Sequence, residues 1–196
     1  LEKTGTIKIL NPDGTTNQWI QTTSIPLVRT LITAVTYKGY IYALGGNDGG
    51  ADVSTVYYAP INNDGSVGAW TSTSSLGAAR NGGMAVAYGD YMYYMGGTNS
   101  SSQTTTYTAQ INSNGTLGTF GTSTALTTAR SYAAVVAYNG YVYLAGGTDG
   151  SGNSLGTVHS ATLSSGTIGS WSTTNALPSS ALRRAPTGVL ASGRFI

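Results

Sequence analysis

The chain has 196 residues, of which only 8% are charged, about a third of the roughly 25% found in an ordinary soluble domain. The formal net charge of +2 is too small to predict binding to nucleic acid or to an anionic membrane, and no apolar run approaches the ~20 residues that span a bilayer. Cysteine is absent, which excludes disulfides, thiolate metal sites and cysteine nucleophiles. The 14 tyrosines and 3 tryptophans supply apolar surface for a core and argue against disorder.

Two sets of residues recur with a period of about fifty residues. Arg29, Arg80 and Arg130 are 51 and 50 residues apart, and a pair of glycines begins sixteen residues after each of them. The second set is aromatic and has spacings of 51, 50 and 51 residues: Trp19, Trp70, Phe120 and Trp171. A period shared by two separate sets of residues indicates an internally repeated fold.

In chain order, each repeat predicts four short strands. The first two alternate in apolar character, as in MAVAY and DYMYYM, and they are separated by dipeptides that suit a two-residue hairpin turn: Lys38-Gly39, Gly89-Asp90 and Asn139-Gly140. In the second copy a polar loop at 98–104 leads to a third strand at 105–111, and Phe120 opens a short fourth strand. No segment keeps the spacing of a helix, so an all-β fold is predicted.

The sequence divides into three whole units and two half-units. The N-terminal part carries third- and fourth-strand patterns, whereas the C-terminal part carries a first strand at Thr187–Ala191 and an interrupted second strand. The predicted bounds are a half-unit at 1–23, whole units at about 24–74, 75–124 and 125–175, and a half-unit at 176–196.

The two half-units are complementary, and three ways of joining them are open. They can meet within one chain to make a ring of four units, be exchanged between two chains, or continue into further repeats of a longer chain. An open arc would leave strand edges unpaired. We expect closure between chains, or within a larger ring, rather than a ring of four units made by one chain.

The repeated pattern of an arginine followed by Y-x-Y-x-x-G-G, with an aromatic residue opening the fourth strand, resembles the kelch repeat. The linking stretch INNDGSVGAW at 61–70 is similar to that of bacterial kelch-like surface proteins. This resemblance implies a kelch-type β-propeller whose blades are four-stranded antiparallel sheets. Aromatic residues are expected between the blades, where replacing Trp70 by alanine would cost ~3–5 kcal/mol.

The arginines of the repeat are the first candidate binding residues. In kelch-like propellers the matching position precedes the innermost strand near the mouth of the channel, which implies that place for Arg29, Arg80, Arg130 and either Arg183 or Arg184. A ring of guanidinium groups there can bind a carboxylate, an acidic peptide or an acidic sugar. The alternative is that each arginine bonds backbone carbonyls and packs on tyrosine. Repetition favours this alternative, because every blade needs its scaffold.

The loops after the glycine pairs supply the second candidate set. They are polar, they differ between copies, and they are expected on the same face as the arginines. Variable polar loops on a rigid scaffold often carry recognition. The candidate binding residues in them are Asn47, Asp48, Asn99 and Asp149.

No catalytic residue, metal site or cofactor is predicted. His159 is the only histidine, which excludes a site with several histidine ligands, and it is expected to pack within a third strand. Asp48 with Asp52 offers too few oxygen ligands for Ca²⁺.

The sequence therefore favours a non-catalytic binding or structural propeller, extracellular or on the cell surface. It is expected to recognise a protein or glycan through loops on one face, without nucleic acid and without membrane insertion. Two alternatives stand beside it. The chain is part of a larger carbohydrate-active propeller enzyme whose catalytic blades are absent here, or it is a self-assembling segment that closes its ring as a homo-oligomer.

Overall fold

The computed structural model describes residues 21–177, 190–191 and 194–195, and within these ranges it contains strands and turns but no helix. There is thus no helix able to cross a membrane in the part of the chain that is described. The main body consists of three antiparallel sheets, which we call the first, second and third sheets in chain order. The predicted all-β fold of antiparallel sheets is confirmed: two of the sheets have four strands, and the third has one additional short strand.

The first two sheets are four-stranded antiparallel meanders, and in the third sheet the third strand pairs with both of the short strands that follow it. The first sheet contains β1 (Thr33–Tyr37), β2 (Tyr40–Leu44), β3 (Val56–Pro60) and β4 (Thr71–Thr73). The second contains β5 (Met84–Tyr88), β6 (Tyr91–Met95), β9 (Thr106–Gln110) and β10 (Gly121–Ser123). The third contains β11 (Ala134–Tyr138), β12 (Tyr141–Ala145), β13 (Val158–Ser164), β14 (Thr167–Ile168) and β15 (Ser172–Thr173).

The first hairpin of each sheet turns at the predicted dipeptide. Both residues of each turn have positive φ, for example 47° at Asn139 and 79° at Gly140, which is the conformation that a two-residue hairpin turn of type I′ requires. Tyr138 and Tyr141 therefore face each other as the last pair of the ladder.

A short ribbon interrupts the loop predicted at 98–104. Here β7 (Thr98–Asn99) pairs with β8 (Ser101–Ser102) around Ser100, which has a φ of 67°. This ribbon projects from the second sheet beside the loop of the third.

The hydrophobic core lies between the sheets, in two clusters. The first sheet packs on one face of the second, and the third sheet packs on the other. Because neighbouring residues of a strand point to opposite faces, Met92 and Tyr94 of β6 enter the first cluster, while Tyr93 and Met95 enter the second. All four side chains are fully buried, and each contributes on the order of 1.5–3 kcal/mol by leaving water.

The predicted half-units fall largely outside the described residues, and so do Trp19 and Arg184. At the C-terminal end, β16 (Leu190–Ala191) pairs with β17 (Arg194–Phe195) as an antiparallel hairpin.

Candidate functional site

Segments that follow the repeated arginines connect the three sheets at one end. The backbone N–H of Gly82 donates to the carbonyl of Leu31 at 3.0 Å, and the N–H of Tyr132 donates to the carbonyl of Gly82 at 2.8 Å. Each of these residues lies two positions after its arginine and has a φ between 54° and 56°. The loops after the glycine pairs are at this same end, since Asn81 pairs with Thr98 and Ser131 with Thr148.

Arg130 is completely buried beneath this end. Its guanidinium donates to the carbonyls of Gly146 and Thr157 and, at 2.7 Å, to the hydroxyl of Thr157. Burial lowers the pKa of Arg130 to about 10, because the charged form loses its hydration. A ligand on the loop face cannot reach this side chain, which fits the scaffold role.

The other described arginines are placed in similar ways. Arg80 is buried and donates to the carbonyl of Ala79 at 2.8 Å. Arg29 is half-buried, bonds the carbonyl of Gly45 and the hydroxyl of Thr55, and lies 5.6 Å from the centre of the Tyr57 ring. The three guanidinium groups thus bond within their own sheets and do not meet around a common ligand position.

A chain of polar side chains crosses all three sheets on the loop face. The carboxylate of Asp52 accepts hydrogen bonds from Asn47 at 2.8 Å and from Asn81 at 2.7 Å. The side-chain oxygen of Asn81 in turn accepts a bond of 2.6 Å from the Tyr132 hydroxyl. Tyr132 therefore reaches back from the third sheet to the second, and its ring lies over Gly82, where a methyl group would overlap it.

The loops of the first and second sheets are joined through amide and carboxylate groups, whereas those of the second and third sheets are joined through hydroxyl groups. The Ser131 hydroxyl is buried and lies 2.7 Å from the Ser102 hydroxyl and 2.9 Å from that of Thr148. Ser102 also donates to the backbone carbonyl of Thr148. Because hydroxyls both donate and accept, this cluster can pair with either kind of ligand group.

An open cavity of about 370 Å³ lies above this hydroxyl cluster. The ribbon β7–β8 forms one wall, and the loop 148–152 of the third sheet forms the other. Of the eleven lining residues seven are serine or threonine, two are glycine, and Tyr132 and Asp149 complete the set. The volume is within the range of small-molecule sites.

The predicted loop residues are distributed unevenly around this cavity. Asp149 is at its rim, where its carboxylate accepts bonds from the backbone N–H groups of Ser151 and Asn153 and from the Asn153 side chain. The Asn153 bonds are the main cause of its lowered pKa. Asn99 is exposed on the ribbon.

Asn47 and Asp48 belong to the loop of the first sheet, away from the cavity. The Asp48 carboxylate accepts from the N–H groups of Ala51 and Gly50, which lowers its pKa, and Asn47 bonds Asp52. Asp48 and Asp149 thus each hold the backbone of their own loop in one shape, so both loops are preorganised.

His159 lies within β13, as expected, and is buried. Its Nδ1 is 3.3 Å from the Thr127 hydroxyl. Burial, and then the charge of Arg130, lowers its pKa. In the described part of the chain, no three acidic or histidine side chains are grouped as metal ligands would be.

A second cavity, of about 410 Å³, lies at the opposite end of the sheets. An exposed ion pair at its edge joins Lys38 Nζ to the Asp90 carboxylate at 2.5 Å. The Tyr37 hydroxyl also approaches Asp90, so the pair connects the hairpin turns of the first two sheets.

Sequence reasoning missed the residues that form the loop-face cavity. The repeat pattern does not mark Asn81, Ser131 and Tyr132, although they directly follow the repeated arginines. The available signal was their variation: the two positions after each arginine read Thr-Leu, Asn-Gly and Ser-Tyr. An arginine that is the same in every repeat, followed by positions that differ, indicates that the scaffold ends there and that a surface which varies between repeats begins.

Comparisons with known proteins agree with this architecture. The Kelch motif family matches residues 129–160. The fold is similar to the solved structure of YjhT, with a TM-score of 0.67 and 15% sequence identity over 85% of this chain and 51% of that one. The chain thus spans about half the length of that structure. No curated protein matches the sequence.

These findings and the three sheets define a repeat-built β-propeller. The stretch 129–160 matches the Kelch motif, in agreement with the sequence resemblance, and each sheet has the form of one blade. The described blades form an open arc and not a closed ring. Such a fold is in general a binding or structural module.

Proposed function

We propose that this chain is a non-catalytic binding module, acting outside the cell, whose ligand is a neutral glycan held in the loop-face cavity between the second and third sheets. The observation that carries the proposal is the chemistry of the cavity wall. Seven of the eleven lining residues carry small hydroxyl groups, and none carries a positive charge.

This wall matches a sugar better than an anion. Ligand hydroxyls both donate and accept hydrogen bonds, as do the side chains of Ser102, Ser131 and Thr148 beneath them. A phosphate, sulfate or carboxylate binds best to Arg or Lys. The guanidinium of Arg130 already donates its hydrogen bonds to backbone carbonyls. The half-buried ring of Tyr132 adds an apolar surface for a sugar face.

The walls are also rigid enough for recognition. The loop 148–152 is fixed by the Asp149 bonds, and the ribbon by its own ladder and by Ser102. Ordering of the site on binding therefore costs little, which favours affinity. The extracellular setting rests on the scarcity of charged residues and the abundance of Ser, Thr, Asn and Gly.

Binding to an array of purified glycans tests the proposal. We expect signals from neutral glycans that persist at high salt, because the cavity wall has no cationic side chain. Binding restricted to acidic glycans, or to proteins with no glycan binding, would contradict it. Turnover of any bound glycan would favour the alternative of an enzyme.

A further inference from the structure

The loops of the first two sheets each bond the residue that follows the arginine of the next sheet. The Asp52 carboxylate of the first sheet accepts a bond of 2.7 Å from the Asn81 side chain, 29 residues later. In the same way, the Ser102 hydroxyl of the second sheet lies 2.7 Å from the Ser131 hydroxyl, also 29 residues later. The two contacts occupy equivalent places in the repeat, but only the first contains a charged group.

The charge of Asp52 fixes the direction of the hydrogen bonds around Asn81. A carboxylate only accepts hydrogen bonds, so the Asn81 amide must turn its NH2 group toward Asp52. Its oxygen then faces Tyr132, whose hydroxyl donates to it at 2.6 Å. An amide turned the other way would place its oxygen against the carboxylate, where the two oxygens repel each other. Ser102 and Ser131 have no such preference, because either hydroxyl can donate.

The Asp52 carboxylate is itself anchored in its loop. It also accepts a bond of 2.8 Å from the Asn47 side chain, and these two residues form a β-bridge within the loop of the first sheet. Asn81 is 8% exposed, so water competes little for its amide group. The bond between Asp52 and Asn81 thus joins an anchored acceptor to a nearly buried donor, a setting in which the loss of one partner has a large effect.

Two bonds to the second sheet determine where the Tyr132 side chain lies. The backbone N–H of Tyr132 donates to the carbonyl of Gly82 at 2.8 Å, and its hydroxyl donates to Asn81. The ring lies across Gly82, where an added Cβ would come within 2.1 Å of a ring carbon. These contacts hold the side chain at the wall of the loop-face cavity, of which Tyr132 is a lining residue.

Asp52 and Asn81 are not among the residues that line this cavity. Coupling between Asp52 and a ligand therefore needs a physical path, which the two consecutive hydrogen bonds supply. We propose that Asp52 is a positioning residue of the glycan site: through Asn81 it holds Tyr132 in the orientation that receives a sugar face. This role rests on the proposed function, because it concerns the same cavity.

The affinity for a neutral glycan identified on the array is the first test. Asp52→Ala removes the acceptor that keeps the Asn81 oxygen toward Tyr132, so we expect binding about fivefold weaker than in wild type. Asp64→Ala is the matched control, because it removes another carboxylate of the first sheet, which bonds Ser66 in the turn between β3 and β4. Unchanged affinity in Asp52→Ala, or an equal loss in Asp64→Ala, would overturn the proposal.

A double variant shows whether Asp52 acts through Tyr132. Tyr132→Phe keeps the ring and removes the hydroxyl that bonds Asn81. In that background Asp52→Ala has no such bond left to disturb, so the double variant should bind the glycan as tightly as Tyr132→Phe alone. Losses of affinity that multiply in the double variant would contradict the path through Asn81.

A spectroscopic measurement reports the position of the Tyr132 ring without any glycan. In NMR spectra of protein labelled at its tyrosines, the Tyr132 signals are those that Tyr132→Phe lacks. We expect Asp52→Ala to shift these signals and Asp64→Ala to leave them in place, and unshifted signals in Asp52→Ala would overturn the positioning role. A wild-type protein that binds no neutral glycan would overturn the proposed function and this role with it, whereas glycan binding that Asp52→Ala does not weaken would overturn the positioning role alone.

Discussion

The hydroxyl of Tyr132 lies 2.6 Å from the side-chain oxygen of Asn81, 51 residues earlier in the chain. Asn81 is held on its other side by Asp52 of the first sheet, so this bond completes a polar connection through three consecutive blades. Tyr132 adopts a φ of 54°, which is unusual for a residue with a side chain. The same tyrosine lines the cavity that we propose as the binding site.

Tyr132→Phe removes the donor of this bond and keeps the ring. We expect the free energy of unfolding to fall by about 1 kcal/mol, since the Asn81 oxygen loses a partner in a nearly buried place. Urea denaturation measures the change. Tyr138→Phe is the control, because the Tyr138 side chain is exposed, and an equal loss there would show that the Asn81 bond adds no stability.

Arg130→Ala should destabilise the fold more than Arg29→Ala does. The change at 130 leaves the buried Gly146 carbonyl without its guanidinium donor, removes one of the two donors to the Thr157 carbonyl and opens a cavity, with an expected cost of about 3 kcal/mol or more. Arg29 is half-buried, so water can replace part of what it loses. Thermal unfolding of both variants gives the comparison, and a stable Arg130→Ala protein would contradict the scaffold role of this arginine.

The two tryptophans should differ in their contribution to stability. Trp171 is 9% exposed and packs in the core with Leu126 and Ile168, so its replacement by alanine should cost ~3–5 kcal/mol. Trp70 is only half-buried, so Trp70→Ala should cost roughly 1–2.5 kcal/mol, less than its sequence position indicates. Denaturant unfolding of the pair decides, and equal losses would show that the two aromatic positions are equivalent.

Buried tyrosines predict a loss of stability at alkaline pH. Burial raises the pKa of Tyr42 to about 12 and also raises the pKa of Tyr93 and Tyr94, whereas an unfolded tyrosine ionises near pH 10. The unfolded chain therefore loses these protons first, so their stabilising contribution is complete below pH 10, and the contribution of Tyr42 is lost as the pH rises through about 12.

The comparison of wild type with Tyr42→Phe isolates this effect, because Arg130, with its lowered pKa, acts in the opposite sense in both proteins. Unfolding free energies at pH 9 and pH 11.5 should fall further in wild type than in Tyr42→Phe. Equal losses in both proteins would mean that Tyr42 ionises in the folded state as readily as in water.

The fold could be predicted from the sequence because its strands and turns depend on patterns of neighbouring residues. The alternation of MAVAY and YMYYM, and the dipeptides at 38–39, 89–90 and 139–140, specify strands and turns from within a few residues. Repetition then multiplies the signal, since the same pattern occurs three times.

The candidate site was harder to predict because it is formed between blades. Ser102 and Ser131 are 29 residues apart and meet only when two sheets pack side by side. Serines and threonines are also abundant throughout this chain, so no single one attracts notice. The repeated arginines stand out in the sequence, but they bond backbone carbonyls and so belong to the scaffold that every blade requires.

Burial of the aromatic residues shows a related limit. The period places Trp70 and Trp171 at the same point of the repeat, yet one is half-buried and the other is buried. Trp171 packs between the second and third sheets with Leu126 and Ile168, whereas no sheet within the described residues precedes the first sheet, which Trp70 adjoins. The pattern of a single repeat does not contain what packs against it.

The central claim is tested most directly by a titration with a neutral glycan that binds on the array. The glycan is titrated into the wild-type protein and into the variants Gly150→Gln and Gly121→Gln. Gly150 lines the cavity and has only ordinary contacts around an added Cβ, so a glutamine there fills the site without forcing the fold, whereas Gly121 is exposed on β10 with open space around it. The account predicts at least a tenfold weaker binding for Gly150→Gln and unchanged binding for Gly121→Gln. Full affinity in Gly150→Gln, with the fold intact, would contradict the assignment of the site.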